Sequence, residues 1–238
     1  MTQINWTTIR DKIENDIVKG DLKPGDQLPT EPQLVQKYSA GRHSVRKAVE
    51  ALAKAGKLSV RQGLGIFVEA TPRLTYEIGK RTRLRSNLIP QGCEVSEQSL
   101  SADMITATEV VRQKLKLGPD EKVVVSQRIT LADGLPIAFG STFLSAARFP
   151  DFAKRRDVLG STTSVYKTYG IEDYVRDYTS IHARQAKAEE AKILRQHPDV
   201  PVIVVHAVDT ELDGTPLSYI EGIWAAGRVQ FTMGGKDA

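Results

Sequence analysis

The chain has 238 residues, of which 40% are hydrophobic and 26% are charged, and its formal net charge is +4 at pH 7. This length and apolar fraction allow two domains that each bury a core, and no apolar run approaches the roughly 20 residues of a membrane-spanning helix. The N-terminus lacks a signal-peptide pattern and Cys93 is the one cysteine, so we expect a soluble cytoplasmic protein without a membrane partner or an internal disulfide.

The first 40 residues predict two helices. A stripe of apolar residues spaced three or four apart indicates an amphipathic helix that ends before Gly20, and its members are Trp6, Ile9, Ile13 and Ile17. Thr30 suits the N-cap of a second helix, because Gln33 lies three residues later and can complete a reciprocal capping box. This helix is expected to extend to about Tyr38.

A third helix and a hairpin follow. The helix is expected to end at Ala55, and its apolar stripe consists of Val45, Ala48, Val49 and Leu52. Two short strands, 58–60 and 66–68, flank a glycine-containing turn, which predicts a β-hairpin. Residues 37–61 carry seven cations against one acid, a local excess typical of a surface that meets phosphates. Three helices and such a wing predict a winged helix-turn-helix over residues 1–70.

The remainder of the chain predicts an α+β domain. Residues 71–78 are expected to form a linker, so that this second domain comprises residues 79–238. Asp133-Gly134 and Asp213-Gly214 each join two strands of alternating pattern, which predicts two β-hairpins. Helical stretches precede these hairpins at 107–116 and 183–196, and the repeat implies one antiparallel sheet with helices packed on it.

Two further strands are expected in this domain. Residues 171–181 alternate in polarity, which places Tyr174, Arg176 and Tyr178 on one face. A second alternation is expected to place Arg81, Arg83 and Arg85 together on one strand face.

Several motifs at fixed spacing in residues 5–68 resemble the DNA-binding domain of the GntR superfamily of bacterial transcription regulators. They include Leu28-Pro29-Thr30-Glu31, Arg42-His43-Ser44-Val45-Arg46 and Arg61-Gln62-Gly63-Leu64-Gly65-Ile66-Phe67-Val68. The second domain is similar to the effector-binding domain of the HutC-type branch, whose fold resembles chorismate lyase. Residues 76–92 and 171–176 further resemble the phosphonate-metabolism regulators of that branch.

The start of the third helix is the predicted DNA reader. The chain departs from the family pattern at Pro32, where many relatives have an arginine, and at Gly41, where many have serine or threonine. Base readout is therefore expected to rest on Arg42, which can donate to guanine O6 and N7, whereas Arg46 is better placed for a phosphate. The predicted DNA contacts are Thr30, Glu31, Arg42, His43, Ser44, Arg46, Arg61, Gln62 and Gly63. The alternative interpretation is a solvated cationic helix face.

The second domain is expected to bind a small anion. Arginines grouped with hydroxyl groups suit a phosphate or phosphonate, because the guanidinium fork binds oxyanions through two hydrogen bonds. Residues 161–166 add hydroxyl groups at a predicted helix start. The resemblance implies the effector contacts Arg83, Ser86, Arg128, Ser164, Tyr166, Arg176 and Glu221. The alternative is that several of these side chains pair with surface acids.

No catalytic residue, cofactor or metal site is expected, because the four histidines show no metal-ligand spacing with one another or with Cys93. The sequence thus predicts a homodimeric repressor of phosphonate or related metabolism genes. It would bind a palindromic double-stranded operator and be released by the anionic effector. Two alternatives stay open: the same scaffold sensing a sugar phosphate, a histidine breakdown product or a fatty acid, and a small-molecule lyase with an accessory DNA-binding domain.

Overall fold

The computed structural model describes residues 4–61, 63–69 and 74–234. The chain divides into two compact units, and the boundary along the sequence falls between Arg73 and Leu74. Two segments from the second half of the chain, Arg184–Val202 and Ala225–Arg228, belong to the N-terminal unit. Neither unit is therefore one continuous stretch of sequence, in contrast to the predicted domains 1–70 and 79–238.

The N-terminal unit contains the three predicted helices and the predicted hairpin. Its elements before the boundary are α1 (Trp6–Lys19), α2 (Glu31–Tyr38), α3 (Arg42–Lys54), β1 (Leu58–Arg61) and β2 (Gly65–Val68), with β1 and β2 antiparallel. The apolar stripes of the helices meet in one core, whose members include Ile9, Ile13, Leu34, Val45, Ala48, Val49 and Leu52. The helical periodicity of the sequence is confirmed.

One half of the predicted capping box forms at the start of α2. The Gln33 Oε1 atom accepts the backbone N–H of Thr30 at 2.8 Å and the Thr30 hydroxyl at 2.9 Å. The Thr30 hydroxyl thus donates to the Gln33 side chain, and α2 begins at the predicted residue.

The second unit is built on a six-stranded sheet. Its strands in spatial order are β4 (Val95–Thr106), β5 (Lys122–Ala132), β6 (Leu135–Ser145), β9 (Pro216–Ala225), β8 (Val202–Thr210) and β7 (Val175–Arg184). The β4–β5, β5–β6 and β6–β9 pairs are antiparallel. Both Asp-Gly turns are as predicted: positive φ angles occur at Gly134 (73°) between β5 and β6 and at Gly214 (86°) between β8 and β9.

Short helices and a second small sheet complete the description. The helices are α4 (Leu84–Leu88), α5 (Glu109–Leu115), α6 (Phe152–Leu159), α7 (Thr162–Lys167) and α8 (Ala188–Ile193), of which α8 lies in the N-terminal unit. Strand β3 (Leu74–Ile78) pairs in parallel with β10 (Val229–Met233). Among the described residues, no helix is both long enough and apolar enough to cross a bilayer.

Three local predictions differ from the structure. Residues 74–78, expected as part of the linker, form β3, because the buried side chain of Tyr76 packs against Trp224 and Phe231. Residues 81, 83 and 85 do not share a strand face, since the Thr82 hydroxyl accepts the Gly79 N–H at 2.9 Å in a turn before α4. The helix expected at 183–196 is confined to α8, because 183 and 184 still belong to β7.

Candidate functional sites

The first turn of α3 presents polar side chains outward. Arg42 and His43 are exposed and Ser44 is half-buried, whereas Val45 is fully buried in the core of the three helices. This division follows from the sequence, because the apolar stripe that includes Val45 holds one face of α3 against α1 and α2. The predicted reading residues are therefore accessible on a packed support.

The start of α2 is linked to this surface by an ion pair. The Nε atom of Arg46 lies 3.0 Å from Oε2 of Glu31, and the Arg46 side chain remains 72% exposed. An exposed pair of this kind contributes little to stability, so Arg46 can exchange Glu31 for another anion. Thr30 is exposed beside Glu31.

The predicted wing contacts are described in part. Gly63 is exposed in the hairpin turn and has a φ angle of 75°, a conformation that glycine adopts without strain. The Arg61 backbone pairs with Gly65 in the hairpin, while its side chain and Gln62 lie outside the described residues. One cation that the sequence analysis did not single out, Lys47, has its Nζ atom 4.7 Å from the centre of the Trp6 ring.

A cavity of about 450 Å³ lies in the second unit. Its walls are built by the turn before α4, by α6 and the start of α7, and by one face of the six-stranded sheet. Five of the seven predicted effector contacts line it: Arg83, Ser86, Arg128, Arg176 and Glu221. Side chains separated by up to 138 positions in the sequence are thus brought to one cavity.

The other two predicted contacts, Ser164 and Tyr166, are not among the residues that line the cavity. Tyr166 is fully buried in an apolar cluster with Phe149 and Phe152, and this burial raises the pKa of its phenol well above the ordinary value. The Ser164 N–H donates to the Ser161 hydroxyl at 3.0 Å, which starts α7. Both residues therefore take part in the packing and capping of α7, and their role as effector contacts stays a prediction.

Two of the cavity arginines are held close to β7. The Nε atom of Arg176 donates to Oδ1 of Asp209 at 2.5 Å, and both side chains are almost completely buried. The Arg83 guanidinium stacks 3.4 Å from the centre of the Tyr174 ring and donates to the Tyr174 carbonyl oxygen at 2.6 Å. Arg81, from the same predicted set, is exposed and pairs with Asp173 at 2.6 Å.

Half-buried Arg128 is held by a carboxylate of α6, and buried Arg156 is held by a carboxylate of β4. Arg128 Nη1 donates to Oδ1 of Asp157 at 2.5 Å, and Arg156 Nη2 donates to Oε2 of Glu97 at 2.5 Å. The sequence analysis missed Arg156, Glu97 and Asp209. The sequence does place Arg156 four residues after Phe152, which puts the two side chains on the same face of a helix. These two are the buried residues of α6.

An aromatic wall, consisting of Tyr76, Trp224 and Phe231, lines another side of the cavity. The three ring centres lie 4.8 to 5.5 Å apart, within the range of favourable aromatic pairs. Burial raises the pKa of Tyr76 to about 12. The wall joins β3, β9 and β10, so it could not be inferred while residues 74–78 were assigned to a linker.

Two glycines, Gly140 and Gly222, line the cavity on the side of the sheet and project no side chain into it. Gly140 pairs with Arg128 on one side and with Gly222 on the other, so this row of the sheet presents one long side chain followed by two positions without any. A Cβ atom at Gly222 would lie 2.9 Å from Nε1 of Trp224, and one at Gly140 would collide with the Glu221 carbonyl oxygen. The described residues contain no group of three or more His, Cys, Asp or Glu positioned to hold a metal ion.

Comparison with known proteins assigns these two units to a family. Residues 6–68 match the family described as "Bacterial regulatory proteins, gntR family", and residues 90–230 match the "UTRA domain". The chain belongs to the GntR family and carries a UTRA domain. The resemblance stated from the sequence motifs is confirmed, as is the fold class of a helix-turn-helix unit and an antiparallel-sheet domain.

Similar proteins to this GntR-family chain are transcriptional regulators. It is 32% identical over 228 residues to an uncharacterized HTH-type transcriptional regulator of Rhizobium meliloti (strain 1021), which covers 96% of this chain and 93% of that protein. It is 32% identical over 146 residues to the mannosyl-D-glycerate transport/metabolism system repressor MngR of Escherichia coli (strain K12), covering 61% and 60% respectively.

The solved structure of PhnF from Mycobacterium smegmatis has the same fold. It superposes with a TM-score of 0.66 over 97% of this chain and 100% of that chain, at 21% sequence identity. The two family matches and the similar regulators, together, make this GntR-family protein a transcriptional regulator of the HutC type.

Proposed function

We propose that this regulator is a repressor that binds a palindromic operator as a homodimer and is released by a small anionic effector. The observation that carries the effector assignment is the cavity of the UTRA domain, in which four buried or half-buried arginines converge. Guanidinium groups recognise phosphate and phosphonate through paired hydrogen bonds, and burial strengthens such bonds. Phosphonates and phosphate esters are the effectors that this chemistry favours.

The proposed DNA contacts are the exposed residues at the start of α3, of α2 and in the wing. Arg42 has the exposure needed to reach a guanine in the major groove, and Arg46 is one helical turn behind it. In a symmetric dimer two such helices read half-sites about one helical turn of DNA apart. The proposed effector contacts are Arg83, Ser86, Arg128, Arg176 and Glu221.

A second candidate effector is an acidic sugar derivative. The cavity contains the carboxylates of Asp209 and Glu221, which accept hydrogen bonds from hydroxyl groups, and an aromatic wall suited to the apolar face of a sugar ring. The similarity to a repressor named for mannosyl-D-glycerate supports the same class of ligand. Both candidate effectors carry an anionic group. They differ in the rest of the ligand, because only the acidic sugar derivative has a sugar ring to place against the aromatic wall.

Operator release tests the proposal. Genomic fragments bound by the purified protein would supply the operator, and fluorescence anisotropy would measure its affinity with methylphosphonate, glucose 6-phosphate or neutral glucose. A coupling typical of linked sites lowers operator affinity by about 5- to 150-fold. We expect this loss with at least one of the two anions and no change with glucose. Release by glucose alone would contradict the anionic assignment, and a monomeric mass in sedimentation would contradict the dimer.

A further inference from the structure

The buried arginine of α6 has a bonding pattern that its structural partners do not account for. Arg156 is 5% exposed, and its Nη2 and Nε atoms donate to Glu97 and to the Thr162 hydroxyl, the latter at 3.2 Å. Its Nη1 atom is buried and has no hydrogen-bond partner among the described residues. A buried N–H donor without a partner carries a large desolvation penalty, so such an atom calls for a partner, which a water, an ion or a bound ligand can supply.

Two other polar atoms of residues that line the same cavity are buried and lack a hydrogen-bond partner within the described ranges. The Nε atom of Arg128 and the hydroxyl of Ser126 are also buried without a partner in the described part of the chain. Ser126 and Arg128 are two residues apart on β5 and therefore face the same side of the sheet. Arg128 pairs with Asp157, the residue directly after Arg156, which brings the last turn of α6 over this face.

We propose that Arg156 is the residue that selects the anion, its Nη1 atom binding the oxyanion group of the effector together with Arg128 Nε and the Ser126 hydroxyl. This inference rests on the proposed function, because it assumes an anionic effector in the cavity. Three donors suit a tetrahedral group such as phosphate or phosphonate, which offers three terminal oxygens. Glu97 and Thr162 are positioning residues that hold two sides of the guanidinium and aim the third.

Arg176 and Arg83 differ from Arg156 in the hydrogen-bond partners of their guanidinium groups. Buried guanidinium nitrogens without a partner occur, within the described residues, at Arg128 and Arg156. Arg176 is instead paired with the buried carboxylate of Asp209, and Arg83 stacks on Tyr174 and donates to its carbonyl oxygen. The proposal therefore places the anion beside α6 rather than beside β7.

The test substitutes lysine, which keeps the charge opposite Glu97 but lacks the second N–H arm. Dissociation constants of inorganic phosphate and methylphosphonate would be measured from the shift of the thermal unfolding midpoint at constant ionic strength. We expect Arg156→Lys to weaken both anions by about tenfold or more, the size of one charge-assisted hydrogen bond. The matched control is Arg155→Lys, because half-buried Arg155 donates instead to the Thr168 hydroxyl at 2.8 Å. It should stay within about twofold of the wild-type constants.

The outcomes separate the two proposals. Wild-type anion affinity in Arg156→Lys would overturn the role of Arg156 while leaving the anionic effector in place. An unmodified protein that binds neither anion would overturn the oxyanion site at Arg156, and operator release by glucose 6-phosphate would then decide whether the effector is anionic. Operator affinity without effector provides the fold control: it should be unchanged in Arg156→Lys, and a loss there would assign Arg156 a structural role instead.

Discussion

At the scale of single residues, an ion pair distinguishes the two arginines at the start of α3. Arg42 is exposed on the first turn, while Arg46 is exposed and already paired with Glu31. Arg42→Ala is expected to remove about 1–3 kcal/mol of discrimination between operator and unrelated DNA, since a bidentate base contact carries that much specificity. Arg46→Ala should weaken all sequences alike and reduce the salt slope by about one. Anisotropy titrations at several salt concentrations measure both, and equal loss of specificity in the two variants would contradict the assignment.

The raised pKa of Tyr76 predicts a pH dependence of stability. Its pKa is raised by burial from 10.0 to about 12, so the neutral phenol favours the folded state. This contribution is complete below pH 10, where the unfolded phenol is also protonated, and it is lost as the pH rises towards 12. This difference between the folded and unfolded pKa values of Tyr76 corresponds to about 2–3 kcal/mol of unfolding free energy. Tyr76→Phe, which cannot ionise, is expected to lose less stability than the wild type between pH 9 and pH 11 in urea unfolding, and parallel losses would refute the cause.

The sequence allowed the exposed residues to be predicted better than the buried charged ones. The exposure of Arg42 and His43 follows from a local helical stripe, which a few neighbouring residues define. The burial of Arg156 depends on Glu97, which is 59 positions away, and that of Asp209 depends on Arg176. A charged residue is buried where tertiary structure supplies its partner, so its own segment gives little indication.

At the scale of elements, hairpins and amphipathic helices were predictable because their determinants are local. The three N-terminal helices end within two residues of the predicted positions, and both Asp-Gly turns connect strands. The pairing of β3 with β10 was not predictable, because it joins segments about 155 residues apart. The bounds of short helices such as α8 are also hard to predict from the spacing of apolar residues, since six residues span fewer than two turns.

The row formed by Arg128, Gly140 and Gly222 leads to a prediction about the sheet. Gly140→Ala is expected to destabilise the UTRA domain by about 1–3 kcal/mol, because the new Cβ would collide with the carbonyl oxygen of Glu221 on the neighbouring strand. Gly79→Ala is the control, since a Cβ there would meet no atom within 4 Å. Urea unfolding followed by Trp224 fluorescence measures both, and a Gly140→Ala protein as stable as Gly79→Ala would show that β9 can move aside.

At the scale of the whole molecule, the chain returns twice to its N-terminal unit. Arg228 donates to both carboxylate oxygens of Glu69, at 2.7 and 2.6 Å, and also to the carbonyl oxygen of Arg195 at 3.0 Å. Arg228 is 2% exposed and Glu69 is 6% exposed. The same unit contains an exposed pair, Lys54 with Asp199 at 3.4 Å. A buried and an exposed ion pair thus join the same two parts of the sequence, the first 73 residues and the later segments.

These two pairs should differ sharply in their effect on stability. Glu69→Gln removes the negative charge opposite a buried guanidinium and is expected to lower the free energy of unfolding of the N-terminal unit by about 3–5 kcal/mol. Lys54→Met should leave it nearly unchanged, because solvent screens the exposed pair.

The two tryptophans allow this comparison to be made on each unit separately, because Trp6 lies in the N-terminal unit and Trp224 in the second. In a Trp224→Phe background, the urea transition reported by Trp6 should move to lower urea with Glu69→Gln and stay in place with Lys54→Met. In a Trp6→Phe background, the transition reported by Trp224 should move less than that of Trp6. Equal shifts for Glu69→Gln and Lys54→Met would mean that burial does not determine the strength of these pairs, and that the later segments are held to the N-terminal unit by packing instead.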